Sequence, residues 1–197
     1  MHELEKQNTA ITAEADKILY ERGLLKILGK FGETFVTGSY TLKLMLRRDL
    51  DVNISCDTMT EKKFFQMGGE IAAALKPARI LYINEYVVRH PRLPLGYYFG
   101  VSLGKKDDPQ DWNIDIWSMD TDQFNQNKRA IINLKSAIDS EKRLLILDIK
   151  NKSLDHPWYQ RSFFSMDIYN AVISEDVKTT EEFFEWVKQN KSTDISI

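Results

Sequence analysis

The segment 36–54, Val-Thr-Gly-Ser-Tyr-Thr-Leu-Lys-Leu-Met-Leu-Arg-Arg-Asp-Leu-Asp-Val-Asn-Ile, holds the residues best suited to chemistry. Gly38 permits a sharp strand-to-helix turn and a close approach by a ligand. Ser39 would then open the next helix, where free N–H groups, the positive end of the dipole and a hydroxyl all favour an anion such as phosphate. Nine residues separate Ser39 from Asp49. Asp49 and Asp51 lie two apart in the alternating run Asp-Leu-Asp-Val-Asn-Ile-Ser, which reads as a half-buried strand over 49–55. On a strand they share one face, while Leu50 and Val52 turn to the core. Two adjacent carboxylates repel, and a hard cation such as Mg²⁺ bridging them to substrate phosphates relieves the repulsion. Arg47 and Arg48 adjoin the pair and are candidates for phosphate charge.

The elements around this segment follow from periodicity and punctuation. A helix is expected over 9–28, a strand over 33–37 and a short helix over 40–46. Thr58-x-x-Glu61 marks the start of a helix over 60–75, stopped before Pro77. Ile-, Val-, Tyr- and Phe-rich runs at 79–89 and 95–104 flank His-Pro-Arg-Leu-Pro and read as a hairpin, with a third strand at 112–118. Helices follow at 122–138, 140–152, 159–173 and 180–190, the last capped by Thr179-x-x-Glu182. The expected fold class is α+β: a mixed sheet flanked by helices, with a helical C-terminal part. Residues 1–120 would form the core, and residues 121–197 a helical region packed on it.

Gly-Ser, nine residues, then Asp-hydrophobic-Asp on a strand resembles the nucleotidyltransferase superfamily that includes DNA polymerase β. In size the chain is most similar to the small aminoglycoside and lincosamide adenylyltransferases. That superfamily carries a third carboxylate between hydrophobic residues on a later strand, and Asn113-Ile114-Asp115-Ile116-Trp117 supplies it here. Asp111 and Asp120, at the expected strand ends, are weaker candidates. The resemblance covers residues 9–119. It implies that Gly38 and Ser39, with Arg48, hold the phosphates of a nucleoside triphosphate, ATP being the first choice. It implies that Asp49 and Asp51 hold Mg²⁺ or Mn²⁺. Asp115 would complete a metal site or accept a proton from the attacking hydroxyl. A nucleoside monophosphate would pass to a small hydroxyl-bearing acceptor. The alternatives are a catalytically silent member that binds a nucleotide or partner, and a toxin–antitoxin enzyme that modifies protein or RNA.

Composition narrows the rest. The chain has 197 residues, 27 basic and 29 acidic side chains, and a net charge of −2, which disfavours a nucleic-acid partner. No apolar run approaches the ~20 residues that span a bilayer, so no membrane role is expected. One cysteine, Cys56, rules out an internal disulfide and points to the cytoplasm. His2, His90 and His156 show no zinc spacing. No P-loop or Rossmann glycine motif occurs. A homo-oligomer is compatible with the sequence. Phe163, Phe164, Ile168, Tyr169 and Val172 form a stripe expected to be core.

Overall fold

A computed structural model describes residues 2–104 and 111–191. The sequence order of elements begins with α1 (His2–Asp16), a π-helical turn (Lys17–Glu21) and α2 (Leu24–Leu28). The single helix expected over 9–28 is thus divided. Gly23 stands at φ 76°, a left-handed conformation that ends one helix and starts another. Strand β1 (Glu33–Val36), helix α3 (Gly38–Leu42), strand β2 (Asp49–Ser55) and helix α4 (Glu61–Leu75) follow. Lys43 at φ 58° ends α3 earlier than the expected 46. Beyond it, Leu44 and Leu46 enter one hydrophobic cluster and Met45 the other, an alternation that an extended chain gives and a helix does not. The α4 cap is Thr60, whose hydroxyl accepts from Lys63 N at 3.2 Å, rather than Thr58.

The hairpin consists of β3 (Arg79–Asn84) and β4 (Tyr97–Ser102). β3 stops short of 89 because the Asn84 side chain accepts from Tyr86 N at 3.1 Å and starts the single turn α5 (Glu85–Val88). Strand β5 (Asn113–Met119) completes the sheet. Helices α6 (Thr121–Ala137), α7 (Ser140–Ser153), α8 (Ser165–Ser174) and α9 (Thr180–Asn190) form the C-terminal part. α8 starts later than the expected 159. Phe164 N donates to Asp167 Oδ2 at 2.9 Å at the true start, and residues 158–163 turn tightly with Gln160 at φ 61°.

The five strands run in the order β1-β2-β5-β4-β3, with β2 and β5 parallel and the other pairs antiparallel. The fold is therefore α+β with a mixed sheet flanked by helices. One face carries Leu50, Val52, Ile54, Phe99, Val101, Ile114 and Ile116 into a core closed by α1, α2 and α4. A second cluster joins α6–α9 to the 42–46 segment through Leu42, Leu44 and Leu46. Among the described residues, no helix is long and apolar enough to cross a membrane.

Candidate active site

Strand alternation and the parallel β2–β5 pairing assemble the acidic residues. Asp51 is paired with Asp115, and Asp49 with Asn113, one step along the same face. Leu50 is buried without exposure on the opposite face, which fixes the register: a shift of one residue would put the carboxylates into the core. The Gly38 turn reaches this row from β1. Gly38 has φ 60°, and a Cβ on it would lie 2.2 Å from Asp51 Oδ2. A residue with a side chain would meet both a strained backbone and the carboxylate. Thr37 N donates to Asp51 O at 2.9 Å and Thr41 Oγ1 to Val36 O at 2.5 Å, so the turn is tied to both strands. α3 has only five residues and a small dipole, so its contribution is free first-turn N–H groups and the Ser39 hydroxyl.

Three connected chambers meet at Asp49 and Gln160. The first, of about 330 Å³, brings Gly38, Ser39, Asp49 and Asp51 opposite Lys150 and Tyr169. The second, of about 470 Å³, lies toward α1 and includes Arg47, Arg48 and Asp111. The third, of about 250 Å³, extends over the sheet from Asp115 to Arg79.

The electrostatics of the acidic row are those of like charges in a poorly hydrated place. Burial, then the neighbouring Asp49 and Asp115, pushes the Asp51 carboxyl up to about 8. Burial, then Asp49, raises Asp115 to about 6, against a hydrogen bond from the Tyr98 hydroxyl to its Oδ1 at 2.7 Å. Burial raises Asp49 as well, opposed by Lys150 and Arg47. Lys150 is only 4% exposed; its Nζ donates to Leu44 O at 2.9 Å and to the Tyr169 hydroxyl at 3.2 Å. Burial pulls its ammonium below the ordinary lysine range, while Tyr159, Asp49 and Asp51 pull the other way.

The donor set suits a hard cation. Among the described residues, no three His, Cys, Asp or Glu side chains stand close enough to hold a metal ion by themselves. Mg²⁺ does not require such a cage, because one or two carboxylates plus substrate phosphates are its usual ligands. Asp49 and Asp51 offer hard oxygens on one face, and the missing side chain of Gly38 lets the Asp51 carboxylate pack directly against the turn.

Arg48 lines the α1-side chamber with its guanidinium already engaged. Its Nε and Nη2 hold the Glu14 carboxylate at 2.7 and 2.8 Å, and this pairing keeps Glu14 below its usual range. Arg47 lines both the Ser39 and the α1 chambers. Asp111 accepts from Ser102 Oγ at 2.6 Å, and Asp120 caps α6 through Gln123 N at 2.8 Å. Lys150, Tyr98 and Gln160 are absent from the sequence reading. Lys150, one of two lysines in Asp-Ile-Lys-Asn-Lys, carries no local sign of burial, and Gln160, which lines the cleft, sits at a left-handed backbone position that the sequence pattern does not mark. From the expected aromatic stripe, Phe163, Ile168, Tyr169 and Val172 are buried. Phe164 is 46% exposed and lines the Ser39 chamber, so it is not core.

A mixed sheet bearing carboxylates at equivalent positions of its parallel pair, with a Gly-Ser turn against them, is the architecture expected of a nucleotidyltransferase-like fold. No family model matches the sequence, and no curated protein matches it. Solved structures do share the architecture. Cid1, an RNA terminal uridylyl transferase, superposes with a TM-score of 0.54 at 17% identity over 87% of this chain and 52% of its own. The noncanonical poly(A) polymerase complex GLD-2–GLD-3 gives 0.52 at 15% identity over 90% of this chain and 60% of the other. Cid1 poly(U) polymerase bound to MgATP gives 0.51 at 16% identity over 87% of this chain and 50% of the other. The chain thus spans about half the length of Cid1.

Proposed function

We propose that this protein is a metal-dependent nucleotidyltransferase, moving a nucleoside monophosphate from a nucleoside triphosphate to the hydroxyl of a small molecule. The observation that carries the reading is the row of Asp49, Asp51 and Asp115 on one sheet face, with Gly38 packed on Asp51 and Lys150 across the cleft. Mg²⁺ or Mn²⁺ bound there would neutralise charge on the triphosphate and on the leaving pyrophosphate. Asp49 and Asp51 are the residues to hold it. Gly38 and Ser39 cradle the terminal phosphates, and Lys150 and Arg47 face the same chamber with positive charge. Asp115 serves as the proton acceptor. Its raised range lies close to neutral pH, where a general base works best. The acceptor oxygen bonds to the α-phosphorus, the bond to the bridging oxygen of pyrophosphate breaks, and the hydroxyl proton passes to Asp115. Arg48, held by Glu14, acts by fixing the start of β2 against α1 rather than through phosphate.

A second reading has one observation in its favour: Cid1 and GLD-2, similar in fold, are named for adding nucleotides to RNA. On that reading the acceptor is an RNA 3′ hydroxyl. The net charge of −2 and the small chambers favour the small molecule. Incubation with each α-labelled nucleoside triphosphate and Mg²⁺, against a panel of hydroxyl compounds and short RNAs, separates the two. Label on a small acceptor supports the first reading and label on RNA alone supports the second. If no acceptor takes label while the triphosphate binds, the protein is a silent binder.

A further inference from the structure

Two rows of residues cross the open half of the sheet face from the carboxylates to the free edge of β3. The strand pairings Asp51–Asp115–Gly100–Leu81 form one row, and Asp49–Asn113–Ser102–Arg79 the other. The chamber of about 250 Å³ lies over them. At Gly100 the missing side chain makes room for the Tyr98 ring, whose hydroxyl bonds Asp115: a Cβ there would lie 2.7 Å from that oxygen, so the phenol forms the floor between Asp115 and Leu81. Leu81, 49% exposed, supplies an apolar wall, although it points from a strand whose other face is core. Arg79 lines the far end and Asp115 the near end.

Resting on the nucleotidyltransferase reading above, we propose that this chamber is the acceptor subsite, and that it takes a small anionic polyol such as a sugar phosphate. Charge divides the chamber. The Asp115 end, beside Asp49, repels an anion but accepts hydrogen bonds from a hydroxyl. The Arg79 end is cationic and suits a phosphate or carboxylate. Arg79 and Asp115 stand on strands two positions apart and in rows two residues apart, about 12 Å at the usual spacings. An arginine side chain reaching back into that span leaves room for a few carbons between hydroxyl and anion. The volume is below the ~300 Å³ at which drug-sized pockets begin, which fits so small a molecule. The face is also continuous with Asp51, so a hydroxyl at Asp115 meets the nucleotide bound beside Ser39.

Arg79 is thereby the specificity-determining residue, and it lies on an exposed edge where replacement leaves the core intact. The test uses amide spectra of the intact protein with ribose and ribose 5-phosphate as probes, and with ATP and Mg²⁺ separately. Ribose 5-phosphate should move the Gly100, Leu81 and Asn113 signals, and bind at least 10-fold more tightly than ribose. Arg79→Gln should abolish that preference, Arg79→Lys should restore part of it, and neither should change ATP affinity. The proposal is overturned if the phosphate moves only signals around Ser39 and Lys150, or binds the Gln variant equally well. It is overturned too if only an oligonucleotide, and no sugar phosphate, perturbs the β3–β4 face. Loss of ATP binding with the sheet-face response intact would sink the transferase reading and leave an anion site. The reverse result would sink this subsite alone.

Discussion

At Asp49, Leu50 and Asp51, three consecutive residues divide two roles between the faces of one strand. Asp49→Asn and Asp51→Asn keep the size of each side chain and remove its charge. Each should lower transfer about 10²-fold or more, the loss expected when a few kcal/mol of electrostatic stabilisation leave the barrier. Leu50→Ala should cost about 2–5 kcal/mol of stability at a fully buried site, with transfer per folded molecule retained. Urea unfolding and labelled transfer on the same preparations check both. The acidic row also predicts a pH dependence. The Asp51 carboxyl in the fold is raised to about 8 from its ordinary value near 3.9. Between those values the unfolded chain has released the proton and the folded chain keeps it. Stability from this group is therefore full below about pH 4 and is lost as pH rises through about 8. In chelator-treated protein, Asp51→Asn should flatten that fall, measured as the denaturant midpoint across pH 4–9. An equal slope in both proteins contradicts the shift.

Among the elements, β2 was the easiest to read. Its polar–apolar alternation is complete over 49–55, and the strand occupies those residues. The β3–β4–β5 meander and the C-terminal helices were legible for the same reason: their periodicity is local. The failures lie where a single backbone conformation or a side-chain bond decides. Gly23 divides the first helix, Lys43 ends α3, and Asn84 halts β3. None of these breaks interrupts a hydrophobic pattern. The candidate acids could be named because Asp-x-Asp and Ile-Asp-Ile are local patterns. Lys150 could not, because its burial depends on Leu44 O and on Tyr169 of another helix. The element that joins the acids to the Ser39 side of the cleft is the Gly38 turn. Gly38→Ala places a left-handed alanine, costing about 1–2 kcal/mol, and drives its Cβ into Asp51. Transfer should fall far more than stability does, and a thermal melt beside the transfer assay shows whether it does.

At the scale of the whole molecule, the 42–46 segment links two cores. Leu44 and Leu46 belong to the helical cluster, and Met45 between them to the sheet cluster. Helices α6–α9 are therefore not an appendage that can melt alone. Leu44→Ala should lower stability by about 2–5 kcal/mol and weaken both clusters together. Trp112 reports the sheet cluster, and Trp158 and Trp186 the helical one. Coincident fluorescence transitions in single-tryptophan variants are expected, before and after the Leu44 change. Separated midpoints would show two independent units. The same linkage serves the site, since α7 brings Lys150 over the carboxylates that β2 and β5 present.

The most direct measurement of the central claim is a balance of phosphorus. The protein is incubated with an α-labelled nucleoside triphosphate, Mg²⁺ and the acceptor panel. Label leaving the nucleotide pool and pyrophosphate released are then counted together. The account predicts one pyrophosphate for each labelled monophosphate transferred, dependence on Mg²⁺ or Mn²⁺, and loss of both products in Asp51→Asn. Release of orthophosphate without transfer of the α-label, or transfer at the wild-type rate in the Asp51→Asn protein, would contradict it.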